Sequence, residues 1–243
     1  MKIIVCKDSQ SIAKTAYQYF KEQLQQKPDS ILGLATGSSP IHLYKEMVLG
    51  YKQKEVSFKQ VKTFNLDEYV GMDHQDSHSY ITFMKEHLFN HVDIDLSHVQ
   101  IPNGKASDLS KECLRYDMLL KQHQVDIQLL GIGSNGHIGF NEPGTPFDLM
   151  THVVELNEQT RKDNASFFSS LEQVPTHALT MGIASILKAK RIILIAEGER
   201  KAHAIMQMIK GKITTDYPAS ILQTHPYVTV IVDTSAASLL NDE

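Results

Sequence analysis

SILGLATGSSPIHLYKEMVLGYKQ (residues 30–53) reads as a buried strand, a glycine-containing turn and a helix. The run SILGLAT (30–36) is short and aliphatic, the pattern of a strand covered on both faces. Thr36, Gly37, Ser38, Ser39 and Pro40 interrupt it, and apolar residues then recur at helical spacing over roughly 40–53. The same alternation extends in both directions. Before it stand a strand KIIVC (2–6) and a helix that buries Ile12, Ala16, Tyr19, Phe20 and Leu24, with Ser9 or Ser11 able to cap it. After it come a strand VKTFNLDE (61–68), a helix over 78–90, a short strand VQIPN, a helix over 108–123 and a strand IQLLGIG (127–133). HVVEL, a helix over 157–169, HALTMG, a short helix, RIILIAEG (191–198), a helix over 199–210 and YVTVIVD (227–233) complete the chain.

Strands separated by helices of these lengths predict an α/β fold: a Rossmann-like, doubly wound, mostly parallel sheet with helices on both faces, because parallel neighbours need crossover connections. The 243 residues form one domain on this reading (1–243), with no repeat or low-complexity linker. In such sheets ligands sit beyond the carboxyl ends of the strands, so residues just after 36, 66, 133 and 197 are expected to converge on a site.

Composition narrows the ligand. Lys and Arg number 24 against 28 Asp and Glu, a formal net charge of −4, which gives no basic field for nucleic acid or an anionic membrane. A small molecule is the expected partner. Two cysteines, Cys6 and Cys113, make no disulfide framework and suit a reducing compartment. The opening MKIIVCKDSQ holds too short an apolar run for a signal segment or a membrane span, so a cytoplasmic location is expected.

Four strand ends carry candidate chemistry. The Thr36–Ser39 turn can aim backbone N–H groups and hydroxyls at a phosphate, or it is an ordinary capped turn. TFNLDEYVG (63–71) ends an apolar strand on Asp67 and Glu68, where a desolvated carboxylate can serve as a base and a solvated one would merely start a loop. GIGSNGHIGFNEPGTPF (131–147) gathers Asn135, His137, Asn141 and Glu142 beyond a buried strand; a histidine with a carboxylate five residues on is a pairing suited to proton transfer. GIGSNG matches the dinucleotide spacing, but Pro143 and its polar neighbours break the helix that fingerprint needs. Lys201, after RIILIAEG and the turn EGE, falls in the first turn of a helix, where an anion contact or a surface position would account for it. His74 with Asp76 and His78, and His87 with His91, have metal-like spacing without a full ligand set, so no metal is expected.

LATGSSP, TFNLDEYVG, GIGSNGHIGFNEPGTPF and VPTHALTMGIASIL, in this order over nearly the whole chain, resemble the glucosamine-6-phosphate deaminase family. The resemblance implies conversion of D-glucosamine 6-phosphate to D-fructose 6-phosphate and ammonia, in amino-sugar catabolism and without a cofactor. It implies that Asp67 moves the proton between C2 and C1, that His137 opens the ring with Glu142 as its partner, and that Thr36, Gly37, Ser38, Ser39 and Lys201 hold the phosphate. Residues 145–170 would form a lid over the site. Neighbouring readings are 6-phosphogluconolactonase, which has no use for a C2 base at Asp67, and a deaminase acting on galactosamine 6-phosphate. A sugar-phosphate sensing domain is the non-enzymatic alternative, and the expected DNA-binding segment has no room before the strand at Lys2.

Two positions depart from the family pattern. Asn135 stands where some members carry Asp, and it is expected to hold the imidazole by a hydrogen bond without stabilising its cation. Ser166 stands where members carry a phosphate-clamping Arg. Lys162, four residues earlier and on the same helical face, is the expected substitute, acting with Lys201 while Ser166 supplies a hydroxyl or clears space. The chain ends soon after the last strand, where allosteric hexameric members continue, so no allosteric region is expected; the oligomeric state is left open.

Overall fold

The computed structural model describes residues 1–165 and 168–240. Ser166 therefore lies outside the described residues. A seven-stranded sheet carries β1 (Lys2–Cys6), β2 (Ile31–Leu34), β3 (Lys62–Asn65), β5 (Val99–Gln100), β6 (Ile127–Leu130), β9 (Arg191–Ala196) and β10 (Val228–Asp233). Its order is β1-β10-β9-β6-β2-β3-β5, and every pairing in it is parallel. The central strands are buried from end to end: all four residues of β6, Ile192–Ala196 of β9 and Val228–Val232 of β10. Burial on both faces requires layers on both sides, and those layers are the flanking helices.

The helices are α1 (Ser9–Gln26), α2 (Ile41–Lys52), α3 (Tyr80–His87), α4 (Leu109–Gln122), α5 (Glu158–Asn164), α6 (Ile183–Ile186) and α7 (Ala202–Lys210). Local chemistry sets where they begin. Ser79, Asp108 and Asn157 each accept a backbone N–H of the following first turn, at Thr82, Lys111 and Thr160. The cap of α1 is Asp8, accepting from Ser11 N at 2.7 Å, rather than Ser9 or Ser11; a carboxylate one residue upstream reaches the same orphan donor. The buried stripe of α1 is Ile12, Ala13, Ala16, Tyr17, Phe20 and Leu24, whereas Tyr19 turns outward to Lys2.

The expected strand 61–68 is two strands. β3 stops at Asn65, and Asp67–Tyr69 forms β4 in a separate antiparallel sheet of order β4-β8-β7, with β7 at His152–Glu155 and β8 at His177–Thr180. Leu66 is the joint between them. Its N–H donates to Leu34 of the parallel sheet at 3.1 Å, and its carbonyl accepts Met181 N, just beyond β8, at 2.6 Å. The helix expected over 199–210 opens as a 3-10 turn, Glu199–Lys201, so that Lys201 precedes α7 instead of lying in its first turn. A further 3-10 segment, Pro218–Thr224, stands between α7 and β10. Among the described residues no helix is long and apolar enough to cross a membrane.

The smaller sheet is held by a close approach. A Cβ built on Gly182, which precedes α6, would lie 2.1 Å from the carbonyl oxygens of both Leu149 and Met150. Two backbones meet there with no flexible group to yield. Gly182→Ala is expected to destabilise the protein by about 2 kcal/mol, within the range of overpacking, lowering Tm by roughly 4–8 °C in a thermal melt.

Candidate active site

The sheet order makes β9, β6, β2 and β3 consecutive neighbours, and the expected site residues follow their carboxyl ends. Lys201 comes after β9, the 131–142 loop after β6, the Thr36–Ser39 turn after β2 and Asp67 after β3. Topology thus brings together four segments far apart in sequence.

Asp67 sits in β4 opposite Thr180 of β8. Thr180 also ties down the histidine loop: its Oγ1 accepts Phe140 N at 3.0 Å and lies 3.0 Å from where Gly139 would carry a Cβ. The same missing Cβ would be 3.7 Å from Asp67 Oδ2, so Gly139, at φ +57°, lets the loop lie against the carboxylate. Asn141 fastens the loop further, donating from Nδ2 to the carbonyls of Ile138 and Met181. Burial and the neighbouring charge of Glu68 push the Asp67 carboxyl up to about 8. Glu68 is wholly buried, and its carboxylate accepts backbone N–H groups of Tyr69 and Tyr80, orienting the start of α3. Burial nonetheless pushes it up to about 7.

His137 lies over Gly133; a Cβ there would fall 2.4 Å from the imidazole Nδ1 and Cε1. Gly133 N also donates to His137 O at 2.9 Å, closing the loop on itself. The ring Nδ1 is 3.7 Å from Glu142 Oε2, beyond hydrogen-bond distance, and has no other partner among the described residues. Asn135 does not hold the imidazole as expected: its Nδ2 donates to Glu142 Oε2 at 2.8 Å, and its Oδ1 accepts the backbone N–H of His137 at 3.2 Å. The amide is the right length to bridge loop backbone and carboxylate, and it makes no hydrogen bond to the ring.

Glu142 is the hub. Besides Asn135, it accepts Asn157 Nδ2 at 2.6 Å and the hydroxyl of Thr160, two residues from the start of α5 that sequence reasoning missed. Burial acts to raise the Glu142 pKa, but His137, Thr160 and Asn135 together outweigh it and hold the carboxyl below the ordinary glutamate range.

In the turn after β2, Gly37 has φ +92°, the left-handed turn conformation that glycine adopts without strain. Burial lowers the pKa of Lys201, with Asp163 of α5 opposing and Arg200 reinforcing the shift. Lys162 is half-exposed and paired with Glu158 at 2.6 Å. Arg161 is taken up by the carbonyls of Leu171 and Val174. A cavity of about 140 Å³ opens between Gly37, Tyr69, Tyr80, His87, Asn164 and Phe168, so the turn after β2 and the end of α5 face one space. The histidines of metal-like spacing are engaged locally: His78 Nδ1 meets Asp76 at 2.8 Å and stacks on Phe168, and His87 packs on Phe83.

The family model for glucosamine-6-phosphate isomerases and 6-phosphogluconolactonases matches residues 7–231. The chain belongs to this family. It is 51% identical over 240 residues to a glucosamine-6-phosphate deaminase of Bacillus pumilus, covering 98% of this chain and 100% of that one. A glucosamine-6-phosphate deaminase of Clostridium novyi is 50% identical over 241 residues, covering 99% and 100%. Among solved structures of the family, a monomeric glucosamine-6-phosphate deaminase superposes with a TM-score of 0.96 at 46% identity, covering 98% of this chain and 100% of that chain. A 6-phosphogluconolactonase from Leishmania guyanensis, at 19% identity and TM-score 0.77 over 97% of both chains, shares the fold.

Asp67 links the site to stability. Its carboxyl ionises near pH 4 in the unfolded chain and near 8 when folded. A raised carboxyl pKa means the folded state is favoured below the unfolded value and loses that advantage as pH climbs between the two. Asp67→Asn removes the penalty. Its Tm is expected to exceed the parent's, by more at pH 8 than at about pH 4, in melts across that range.

Proposed function

We propose that this protein converts D-glucosamine 6-phosphate and water to D-fructose 6-phosphate and ammonia, an amino-sugar catabolic step. The observation that carries the reading is Asp67: a desolvated, strongly basic carboxylate lying against the loop that bears His137 and Glu142. The relatives at about 50% identity over their full length, named for this activity, support it.

The reaction asks three things of the site. The pyranose must open, which takes a proton to O5 and one from the O1 hydroxyl; His137 carries it, with Glu142 as the anion that favours the imidazolium. A proton must then leave C2 and arrive at C1 from one face; Asp67 takes it up and redelivers it, while O1 gains a proton and the amino nitrogen gives one up, turning the 2-amino aldose into a 2-imino polyol. Water adds to that imine and ammonia leaves, so the deamination is hydrolytic. The Thr36–Ser39 turn and Lys201 hold the phosphate, whose charge favours the protonated lysine and so opposes the lowering of its pKa by burial. Helix α5, whose end at Asn164 lines the cavity beside Gly37, covers the bound sugar, and Lys162, when released from Glu158, adds a secondary contact. Lactone hydrolysis needs no base at C2, so a lactonase site would leave the Asp67 carboxylate without work.

Incubation with glucosamine 6-phosphate is expected to release ammonia and fructose 6-phosphate in equal amounts, faster than galactosamine 6-phosphate releases ammonia. Lactonase activity without ammonia would overturn the reading. Asp67→Asn is expected to lose about 100- to 10,000-fold in kcat, together with exchange of the C2 proton into deuterated solvent. Because the base works ionised and its carboxyl is pushed up to about 8, kcat/KM of the parent should rise with pH through neutrality. Lys201→Ala should raise KM more than Lys162→Ala.

A further inference from the structure

Glu142 is 8% exposed, and donors from two separate segments compete for it. Oε1 takes the Thr160 hydroxyl; Oε2 takes the Asn157 and Asn135 amides and faces His137 Nδ1 at 3.7 Å. The imidazole is thus the group left without a bond, about 0.8 Å too far from an oxygen already holding two amides.

Neither α5 residue needs Glu142 to build its helix. The α5 cap is complete without it, since Asn157 Oδ1 accepts Thr160 N at 2.8 Å while the opposite end of the same amide goes to Glu142. The Thr160 hydroxyl is buried at 2% exposure, and the hydrogen bond it donates goes to Glu142. Threonine within a seven-residue helix is a poor helix former, so its place there is explained by that bond and not by propensity. Both residues act on the carboxylate from the helix whose far end, at Asn164, lines the cavity beside Gly37.

We propose that Thr160 and Asn157 are positioning residues that set how strongly Glu142 engages His137, and so tie helix α5 to the ring-opening proton transfer. This rests on the deaminase reading of the site. While α5 is seated as in the structure, its two donors share the carboxylate's charge and keep the imidazole at a distance. A shift of α5 of less than an ångström carries Oε2 into or out of hydrogen-bond range of Nδ1, which couples the cover of the sugar to the state of the histidine.

The test compares Thr160→Val, which keeps the shape and removes the hydroxyl, with Thr160→Ser, which restores it, and Asn157→Ser, which keeps the cap acceptor but cannot reach Glu142. With glucosamine 6-phosphate, Thr160→Val and Asn157→Ser are expected to lower kcat by about 10- to 100-fold with KM nearly unchanged. The titration of the His137 ring, followed by NMR, should move upward by about half a unit, because a carboxylate with fewer donors favours the imidazolium more. Thr160→Ser should return both to parental values. A lowered Tm with an unmoved His137 titration, or failure of serine to restore it, overturns the proposal. If Thr160→Val does not fold, Asn157→Ser alone decides by the same titration. Should the parent show no deaminase activity, the His137 ring signals followed by NMR against pH still decide. An upward displacement in Asn157→Ser sustains the coupling while the functional reading falls, and no displacement overturns the coupling as well.

Discussion

The site depends on a backbone joint at Leu66. Its N–H belongs to the parallel sheet through Leu34, and its carbonyl to the antiparallel sheet through Met181. Its side chain is buried at 3% exposure, so the joint cannot swing. A strand that continued straight from Asn65 would carry the next carboxylate out past the sheet edge into water. The switch instead lays Asp67 beside Thr180 in a second sheet that also anchors the histidine loop. Desolvation follows from that placement, and the raised basicity of Asp67 follows from desolvation.

Three buried carboxylates show how environment separates roles. Asp67 has burial and a like charge and nothing to offset them, so it is the strongest base. Glu68, one residue on and facing the other way across the strand, is buried as deeply but spends its oxygens on the backbone at the head of α3, which fits it to hold structure. Glu142 is rich in donors and stays an anion, the state in which it can support a protonated imidazole. Chemically alike groups thus receive different tasks from what donates to them.

Much of this was legible in the amino-acid sequence, and the limits were physical. Apolar runs such as IQLLGIG and RIILIAEG are buried on both faces and mark parallel strands without ambiguity. The break at Leu66 is hidden because β3 (KTFN) and β4 (DEY) are both extended and separated by a single leucine, and no glycine or proline marks the change of sheet. Asp67, His137 and Glu142 stand out by position at strand ends. Asn157 and Thr160 do not, because their partner is 15 and 18 residues away and a helix-capping asparagine needs no further explanation. The role of Asn135 was misread for the same reason: spacing places it near the histidine, but only the fold shows that its amide faces the carboxylate.

The lactonase at 19% identity shares this fold. The topology places strand ends side by side, and on the proposed reading the substrate phosphate takes the turn after β2 and Lys201 after β9. The chemistry then rests on the groups beyond β3 and β6. In this chain those groups are held by hydrogen bonds that cross between segments: Thr180 to the loop, Asn135 along the loop, and α5 to Glu142. On the proposed reading the parallel sheet sets where a sugar phosphate lies, and the smaller sheet with α5 sets which of its protons can move.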